Sequence, residues 1–341
     1  MIKIFCDGVF DLFHDGHVKH FSQIKKKYPN SYLIVGVLND KITSEYKRVP
    51  IFNEKKRLEL ISSCKYVDEA TLNYPVIMTE EFMNENSIDL VIHAFANKND
   101  LEKQKKYFEV PIKLNKMEII DYNSGISTTN LINLLETNES IENSNKDGWD
   151  KIWELKGNEN STNLRFLNGY ENTTFDSNKS YEEIKSRLGI QKDDKIIEFG
   201  CGAGQFSKLF DNESFNYFGI DYSQNLVLKN IHINNSKVFN CPANQTPFKD
   251  KYFDFAFCIG VFEYFPSKEY AYEVIKEMER VTKNKIYILN IRSGTHTEKK
   301  SKHKYDGCFT HIVYKPSDFP DFQHLVSTYE NDIKFSIFKD L

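Results

Sequence analysis

Residues 6–17 read CDGVFDLFHDGH, a pattern that indicates the fold of the first part of this chain. Residues 2–6 alternate apolar and polar side chains, which indicates a β-strand, and Gly8 then permits a tight turn. His14 and His17 are three residues apart at the start of a helix, so their imidazoles project from one face toward a common point. A helix N-terminus also presents free backbone N–H groups and the positive end of its dipole. The pattern predicts a strand, a turn and a helix that together bind a nucleotide phosphate.

This opening resembles that of the CTP:phosphocholine, phosphoethanolamine and glycerol-3-phosphate cytidylyltransferases. Further matching segments follow in the family's order: YLIVGV (32–37), YK (46–47), NEKKR (53–57), KYVDE (65–69), the strand DLVIH (89–93) and GISTT (125–129). The resemblance covers roughly the first 135 residues, a plausible length for one domain. It implies an α/β nucleotidyltransferase domain that uses CTP.

The resemblance also implies roles for individual residues. His14 and His17 would act at the α- and β-phosphates as imidazolium donors to developing charge, and Lys47 would neutralise charge between CTP and the substrate phosphate. The other nucleotide-binding residues would be Gly8, Val9, Phe10, Asp11, Arg57, Gly125, Ser127, Thr128 and Thr129. Mg²⁺ is expected on the triphosphate, held mainly by substrate oxygens.

Two departures from the family pattern concern the substrates. The family's Arg-Thr-Glu before Gly-Ile-Ser-Thr is YNS here (122–124), so Arg57 or Arg48 would have to compensate for the lost arginine. The phosphocholine members carry a tryptophan, an acidic pair and a tyrosine, which suit a quaternary ammonium through charge and cation–π contact. Those positions are changed here, so the choline cage is expected to be absent. His93 either contacts the substrate or is a buried histidine satisfied by backbone.

A second glycine-rich segment, KIIEFGCGAG, occupies residues 195–204. An apolar strand enters a glycine loop, and a helix is expected over residues 205–210. The glycines permit a sharp turn and a close backbone approach to a ligand. Asp221 follows at the end of the strand 217–220, where its carboxylate can accept hydrogen bonds from both hydroxyls of a ribose. Further predicted elements are a strand at 253–258, a helix at 270–282 and a strand at 286–290.

This second region resembles class I S-adenosylmethionine (SAM)-dependent methyltransferases. The resemblance rests on EFGCGAG (198–204) followed by Asp221, on TPF (246–248) and on FDF (253–255). The nicotinamide fingerprint has its third glycine one residue later, which favours SAM over NAD. The cofactor-binding residues that the resemblance implies are Glu198, Gly200, Gly202, Gly204, Asp221 and Ala243. The family's acidic adenine contact is replaced by CPAN (241–244), which leaves the backbone of Ala243 or the amide of Asn244.

Other segments of the second region have two interpretations each. Glu263 and Tyr264 resemble the segment that faces the methyl acceptor, where Glu263 would orient an amine or a hydroxyl; it could equally be a solvated residue opening a helix. Residues 149–153 resemble a helix folded over the cofactor, or form an ordinary apolar helix face. The loop containing His296, His303 and His311 is either a basic cover for an anionic acceptor or merely solvated. No protein-bound metal is expected there, because the spacing matches no compact site.

Composition limits the partners. The formal net charge of -4 gives no basic footprint for nucleic acid, and no apolar stretch approaches the roughly 18 residues of a membrane span. No nucleic-acid or membrane partner is therefore expected. The six cysteines lack C-x-x-C spacing. They indicate reduced thiols and a cytoplasmic location.

The sequence predicts two Rossmann-like α/β domains, each a mostly parallel sheet with helices on both faces. The expected bounds are 1–137 for the cytidylyltransferase, 138–147 for a polar linker and 148–341 for the methyltransferase. The predicted first activity is CMP transfer from CTP to a small phosphorylated alcohol, for which phosphoethanolamine is the preferred prediction. The predicted second activity is methylation of that molecule or its CDP adduct with SAM. Residues 65–69 resemble the family's dimer interface, so a homodimer through the first domain is expected.

Three alternatives remain at this stage. The first is a glycerol- or polyol-phosphate cytidylyltransferase whose second domain methylates a hydroxyl of a cell-envelope glycan precursor. The second is a SAM-binding domain that regulates the first without catalysis. The third is an adenylyltransferase, because His-x-Gly-His also occurs in ATP-using relatives.

Overall fold

The computed structural model describes residues 1–341 except 47, 96, 121–127, 138–147, 171–172, 174, 294–300, 303–307, 310 and 330–331. At residues 46, 135–137, 148–150, 301–302, 308–309, 326–329 and 332–333 only the backbone is described. The chain divides into two compact units, Met1–Ile132 with Pro247–Lys249 and Asn133–Thr246 with Asp250–Leu341. The predicted linker 138–147 lies outside the described residues, so the predicted domain bounds remain predictions.

The first 137 residues alternate strands and helices. The strands are β1 (Lys3–Gly8), β2 (Tyr32–Val37), β3 (Glu69–Thr71), β4 (Leu90–His93) and β5 (Met117–Ile119). The helices are α1 (Asp15–Lys27), α2 (Asp40–Tyr46), α3 (Glu54–Ser63), α4 (Glu80–Glu85), α5 (Lys98–Gln104), a 3-10 turn (Lys105–Phe108), α6 (Glu109–Lys113) and α7 (Thr128–Thr137). The sheet has the order β3-β2-β1-β4-β5 with every pair parallel.

The order of this sheet reverses between β1 and β4. In an open parallel sheet, the crevice beyond the strand ends at such a switch point is where ligands bind. β1 and β4 are held there by a core in which Phe5 and Val91 are fully buried. Helix α1 packs its apolar residues Phe21 and Ile24 inward, and its three last-turn lysines suit the negative end of the helix dipole.

The second region begins with helices and continues with a larger sheet. Its helices are α8 (Gly148–Asn158), α9 (Leu164–Leu167), α10 (Ser177–Leu188), α11 (Ser207–Asn212), α12 (Gln224–Asn234) and α13 (Lys268–Val281), with 3-10 turns at Phe262–Tyr264 and Pro316–Asp318. Its strands are β6 (Lys195–Phe199), β7 (Asn216–Asp221), β8 (Val238–Asn240), β9 (Phe253–Ile259), β10 (Thr282–Arg292), β11 (Ser301–Lys302), β12 (Cys308–Phe309), β13 (Gln323–Tyr329) and β14 (Asp332–Asp340).

Seven of these strands form one sheet in the order β13-β14-β10-β9-β6-β7-β8. All neighbours are parallel except β14, which runs antiparallel to both β10 and β13. The order reverses between β6 and β9, which creates a second switch point. Two α/β domains with mostly parallel sheets confirm the predicted fold class. Helix α11 begins at Ser207, two residues later than predicted, because residues 202–206 form turns.

Candidate active sites

The first cavity, of about 460 Å³, lies beyond the carboxyl ends of β1 and β4. Its described lining brings together eight residues that were predicted for the catalytic or nucleotide site: Gly8, Val9, Phe10, Asp11, His14, His17, Thr128 and Thr129. The other lining residues are Asp7, Gly16, His20, Leu38, Thr43, Arg48, His93, Ala94, Asn97, Asn99, Asp100, Lys103 and Gln104. Lys47, Gly125 and Ser127 lie outside the described residues.

His14 and His17 cap α1 with their ring nitrogens. The Nδ1 of His14 accepts the Gly16 N–H at 3.1 Å, and the Nδ1 of His17 accepts the His14 N–H at 3.3 Å. The two rings stack with their centroids 3.8 Å apart. Because Nδ1 is the acceptor in each ring, the proton of the neutral imidazole is on Nε2. The Nε2 of His14 lies 3.2 Å from Oγ1 of Thr128.

Burial favours the neutral form of both imidazoles. Burial lowers the pKa of His14 to about 4 and holds the pKa of His17 well below its usual value, with the neighbouring His14 adding to the effect at His17. Burial thus disfavours the imidazolium form that the sequence suggested. Neutral Nε2–H groups still donate hydrogen bonds, so the predicted contact with phosphate oxygens needs no added proton.

The turn between β1 and α1 has a strained backbone and is stabilised by hydrogen bonds to the buried Asp11. Phe10 and Leu12 have φ of 52° and 50°, the left-handed region that non-glycine residues rarely adopt. Asp11 between them is 1% exposed, and its carboxylate accepts hydrogen bonds from the backbone N–H groups of Ile51 and Phe52 at 2.9 and 3.0 Å. Asp11 thus fixes the turn that presents the histidines.

Arg57 does not line the first cavity but hydrogen-bonds to the backbone of residues that do. Its guanidinium is fully buried and donates to the carbonyls of Val9 and Leu38 at 2.6 and 2.7 Å and to Asp40 at 2.7 Å. The expectation that Arg57 contacts the nucleotide is therefore not met, because these internal acceptors hold its donors. Arg48, the other candidate, lines the cavity and donates to Asp11 at 3.0 Å.

Two further histidines line the first cavity. His93, at the end of β4, lies with its Nδ1 3.0 Å from Oδ1 of Asp7, a carboxylate partner instead of the backbone partner considered from the sequence. His20 is on α1 one turn beyond His17, and burial lowers its pKa to about 4, with His93 adding to the effect. His20 was not predicted as a cavity residue, but its spacing of three residues from His17 on a helix places the two on the same face.

The second cavity, of about 280 Å³, lies at the carboxyl ends of β6, β7 and β9. Five residues predicted for cofactor or acceptor line it: Gly200, Gly202, Asp221, Ala243 and Tyr264. The other described lining residues are Trp153, Asn168, Tyr170, Ile220, Tyr222, Leu226, Cys241, Pro242, Ile259, Gly260, Val261, Phe265, Pro266 and Tyr270.

The glycine turn and Asp221 are linked directly. Oδ2 of Asp221 accepts the Gly202 N–H at 2.8 Å, and Oδ1 accepts the Ser223 N–H at 2.8 Å. These bonds fix the carboxylate at the end of β7 beside the turn, and each oxygen retains lone pairs for a ligand hydroxyl. Asn168, which no sequence motif indicated, holds the turn through a hydrogen bond from the Ala203 N–H at 3.1 Å.

Three predicted site residues do not line the second cavity. Glu198 is buried and accepts a hydrogen bond from the Tyr217 hydroxyl; burial raises its pKa to about 8. Gly204 lies against Ser207 and the side chains of α12. Glu263 is 5% exposed and pairs with Arg292, so it is neither an acceptor contact nor a solvated residue. The roles predicted for these three are corrected to structural ones, because their polar or packing contacts are internal.

The predicted helix at 149–153 forms as part of α8, and it brings Trp153 to the cavity. The Trp153 and Tyr264 rings meet edge to face with centroids 5.1 Å apart. At the adenine segment, Ala243 lines the cavity, whereas the Asn244 amide donates to Glu273 at 2.8 Å. Of the two residues considered for the contact with adenine, Ala243 lines the cavity and Asn244 does not.

Residues 5–186, more than half of the chain, match the family model described as cytidylyltransferase-like. This chain belongs to the cytidylyltransferase-like family. Residues 197–289 match the model of a methyltransferase domain. The chain therefore joins an N-terminal cytidylyltransferase-like domain to a C-terminal methyltransferase domain, which confirms both resemblances.

Curated relatives match the N-terminal part. Choline-phosphate cytidylyltransferase of Saccharomyces cerevisiae is 41% identical over 137 residues, which are 38% of this chain and 31% of the relative. Ethanolamine-phosphate cytidylyltransferase of Dictyostelium discoideum is 31% identical over 147 residues, which are 42% of this chain and 39% of the relative. The chain thus spans well under half the length of these relatives.

Solved structures match each part separately. A SAM-dependent methyltransferase from Methanosarcina mazei has 19% identity and a TM-score of 0.41, and the match covers 46% of this chain and 96% of that one. A lipopolysaccharide core biosynthesis protein from Thermoplasma volcanium has 31% identity and a TM-score of 0.29, covering 36% and 97%. Both TM-scores are low, and the fold of each part is defined by its strand order. In the described part of the chain, no helix is long and apolar enough to cross a membrane.

Proposed function

We propose that the chain is a bifunctional enzyme. Its first domain transfers CMP from CTP to a small phosphorylated alcohol, and its second domain transfers a methyl group from SAM to that molecule or its CDP adduct. The observation that carries the proposal is the stacked pair of His14 and His17. Their Nδ1 atoms are held by the N-terminus of α1, and both residues line the first cavity. The family match adds the chemical class.

In the first reaction a substrate phosphate oxygen attacks the α-phosphorus of CTP. The new P–O bond forms as the bond to pyrophosphate breaks, and positioning with charge stabilisation drives the step. The Nε2–H groups of His14 and His17 donate to the α- and β-phosphates, and Lys47 neutralises charge between CTP and the substrate. The N-terminus of α7 supports the triphosphate through Gly125, Ser127, Thr128 and Thr129.

Mg²⁺ would be held by the phosphates. In the described ranges, no group of three or more His, Cys, Asp or Glu side chains is arranged to hold a metal ion. Asp7 and Asp11 are occupied by His93 and by backbone N–H groups. Phosphate oxygens are ligands that Mg²⁺ favours, so the metal would arrive with the nucleotide.

In the second reaction the chain positions the cofactor and the acceptor. SAM supplies an electrophilic methyl group on a sulfonium. Asp221 accepts hydrogen bonds from the ribose hydroxyls, the turn at Gly200 and Gly202 permits close approach, and the Ala243 backbone faces the adenine. Fusing two enzymes raises the effective concentration of an intermediate only if their reactions share a pathway, which supports one common small molecule.

Phosphoethanolamine is the substrate we propose. One curated relative is an ethanolamine-phosphate cytidylyltransferase, and the described wall of the first cavity contains Asp7 and Asp100 but no tryptophan or tyrosine. A primary ammonium is recognised by hydrogen-bond acceptors, whereas a quaternary one needs aromatic faces. The amides of Asn97, Asn99 and Gln104 also suit a polyol phosphate, which is the second candidate.

The test is pyrophosphate release. The full chain with Mg²⁺ is incubated with CTP or ATP and with phosphoethanolamine, phosphocholine, glycerol 3-phosphate or no acceptor. We expect release that depends on CTP and is fastest with phosphoethanolamine. Release only with ATP would support an adenylyltransferase and contradict the proposal.

We also propose a homodimer formed through the first domain. In residues 65–69, Val67 is buried while Lys65, Asp68 and Glu69 are exposed. An exposed, charged segment of this kind suits the polar rim of an interface. Sedimentation equilibrium of the full chain should give twice the 40.0 kDa of one chain. A monomer at micromolar concentration would contradict this part of the proposal.

A further inference from the structure

The described wall of the second cavity is unusually aromatic. It contains Trp153, Tyr170, Tyr222, Tyr264, Phe265 and Tyr270, and its only ionisable carboxylate is Asp221. No histidine, lysine, arginine or glutamate is among its described lining residues. Such a wall can bind a cation through ring faces but offers few groups for a hydrogen-bonded ammonium.

Three of these rings gather at the end of β9. The Trp153 and Tyr264 rings are in edge contact, with centroids 5.1 Å apart. A Cβ added at Gly260, immediately after β9, would lie 3.5 Å from the Tyr170 hydroxyl. Asp221 ends a different strand, β7, where backbone N–H groups already bind it. The aromatic group and the carboxylate assigned to the cofactor ribose thus come from different segments that line one cavity.

The first cavity has the opposite character. Its only phenylalanine, tyrosine or tryptophan ring among the described lining residues is Phe10, which is 7% exposed and packs against Phe21. Its lining instead includes polar side chains from α5 and from the residue that caps this helix: Asn97, Asn99, Asp100, Lys103 and Gln104. A trimethylammonium has no N–H to donate, so it forms no hydrogen bond with the acceptors among these groups.

From this contrast we propose that Trp153, Tyr170 and Tyr264 form an aromatic cage for the acceptor's ammonium, and that methylation follows cytidylyl transfer. The amine enters the first cavity unmethylated, is activated as its CDP adduct, and gains methyl groups only in the second. The inference rests on the proposed function and names its order and its acceptor site. Cation–π contact strengthens the binding of alkylated ammonium ions that have lost their hydrogen-bonding protons.

The one carboxylate among the described residues of this wall, Asp221, is assigned to the ribose, and His311, whose ring centroid is 5.3 Å from that of Tyr264, is not a lining residue. A wall with no other described base favours nitrogen as the nucleophile. A hydroxyl must lose its proton as it attacks, and that loss needs a nearby general base. An amine attacks through its lone pair in the deprotonated form. The substrate ammonium first loses one proton to solvent. The N–C bond then forms as the C–S bond of the SAM sulfonium breaks, the electron pair of that bond stays on sulfur as a neutral thioether, and nitrogen takes the positive charge. The methylated ammonium then remains against the rings.

The order is tested with acceptors of graded methylation. The full chain, CTP and Mg²⁺ are given phosphoethanolamine, its N-methyl and N,N-dimethyl forms, or phosphocholine, and kcat/KM is measured from pyrophosphate release. We expect kcat/KM to fall with each methyl group, by about tenfold or more over the series. Equal or rising values would overturn the order while leaving the proposed function intact. If no amine phosphate is turned over, the proposed function itself fails.

The cage is tested by binding without SAM. Calorimetry with CDP-choline, the quaternary product, compares the wild type with Trp153→Leu, Trp153→Phe and the control Tyr272→Leu, which changes a tyrosine on α13 outside the cavity lining. We expect Trp153→Leu to raise the CDP-choline Kd by about three- to thirtyfold. Trp153→Phe should restore most of the affinity, and the control should not change it.

SAM affinity separates the cage from a cofactor contact. If the cage binds the acceptor, the SAM Kd of Trp153→Leu stays within about twofold of the wild type. A lost SAM affinity with unchanged CDP-choline binding would overturn the proposal, because the rings would then serve the cofactor. Thermal melting of each variant identifies a fold defect, and Tyr264→Leu repeats the test at a second ring.

Discussion

At the scale of single residues, the stacked imidazoles of His14 and His17 carry the proposed nucleotidyl transfer. Each ring uses Nδ1 to cap α1, and the Nε2 of His14 lies 3.2 Å from Oγ1 of Thr128. We assign the Nε2–H groups of both rings to the ligand phosphates. We predict that His17→Ala lowers CTP turnover by about 10²–10³, the usual loss when one preorganised donor to developing charge is removed. The measurement is pyrophosphate release under saturating CTP.

A second substitution at the same position separates catalysis from capping. His17→Asn keeps a side-chain oxygen that can accept the His14 N–H, but it places no Nε2–H in the cavity. It should be as inactive as His17→Ala while melting closer to the wild type. His232→Ala, an exposed change on α12, is the control. Unaltered turnover in both position-17 variants would remove His17 from the mechanism.

Glu198 gives a prediction about stability and pH. Burial raises its pKa to about 8, above the ordinary 4.5 of an unfolded chain. Between these values the folded state holds a proton that the unfolded state has lost, so stability falls as pH rises through this window. Glu198→Gln removes the titration. The Tm of the variant should therefore decline less than that of the wild type between about pH 5 and pH 8.

The matched control for that experiment is Asp193→Asn, which removes a carboxylate from an exposed turn. Its Tm curve should run parallel to that of the wild type. Parallel curves for Glu198→Gln as well would contradict the buried, protonated state assigned to this glutamate. Melting is followed by calorimetry at each pH.

Single residues also show where sequence reasoning stopped. His14, His17 and Asp221 were predictable, because helix spacing and strand ends fix where such side chains point. Arg57 and Glu263 were misplaced, because the acceptors of Arg57 and the Arg292 partner of Glu263 come from distant segments. A local sequence pattern does not indicate a hydrogen-bond or ion-pair partner that comes from a distant segment.

At the scale of elements, the turn between β6 and α11 depends on Gly204. Its φ is +93°, and an added Cβ would lie 2.3 Å from atoms of Ser207, Asn230 and Asn234. We predict that Gly204→Ala destabilises the protein by roughly 2–4 kcal/mol, from backbone strain and overpacking together. The measurement is denaturant unfolding.

Gly189 provides a matched comparison. It also has a positive φ, +74°, at the end of α10, but an added Cβ would meet nothing within 4 Å. Gly189→Ala should therefore cost only about 1 kcal/mol, from backbone conformation alone. Equal losses for the two variants would mean that packing around Gly204 contributes nothing.

The elements themselves were largely predictable from the sequence. The central strands β1, β2, β4, β6, β7 and β9 are short apolar runs, and apolar periodicity indicated them within a few residues. The antiparallel pair β13 and β14 was not predicted. These edge strands have no motif, and their position depends on pairing with β10 across distant sequence. The left-handed residues Phe10 and Leu12 also escaped prediction, because the fold imposes their strain.

At the scale of the whole molecule, the two activities should be separable. Asp221→Ala removes the proposed acceptor for the ribose hydroxyls, and hydrogen bonds to a charged group contribute about 1.5–3 kcal/mol. SAM affinity should fall by roughly ten- to hundredfold, with Asp221→Asn in between. CTP turnover should stay at the wild-type value, because Asp221 belongs to the second sheet.

Calorimetry with SAM and pyrophosphate release with CTP measure the two sides of that prediction on the same preparation. Unchanged SAM affinity in Asp221→Ala would withdraw the assigned ribose contact. Binding of NAD in place of SAM by the wild type would withdraw the methyltransferase assignment of the cavity. A parallel fall of both activities would indicate a fold defect, which melting identifies.

The central claim is that one chain joins CMP to a phosphorylated amino alcohol and methylates the same molecule. The most direct measurement incubates the full chain with CTP, Mg²⁺ and phosphoethanolamine, then adds SAM and follows the products by mass spectrometry. We predict a CDP adduct before SAM is added, and the same adduct bearing one or more methyl groups afterwards. An adduct whose mass SAM leaves unchanged, or no adduct with any phosphorylated alcohol, would contradict the account.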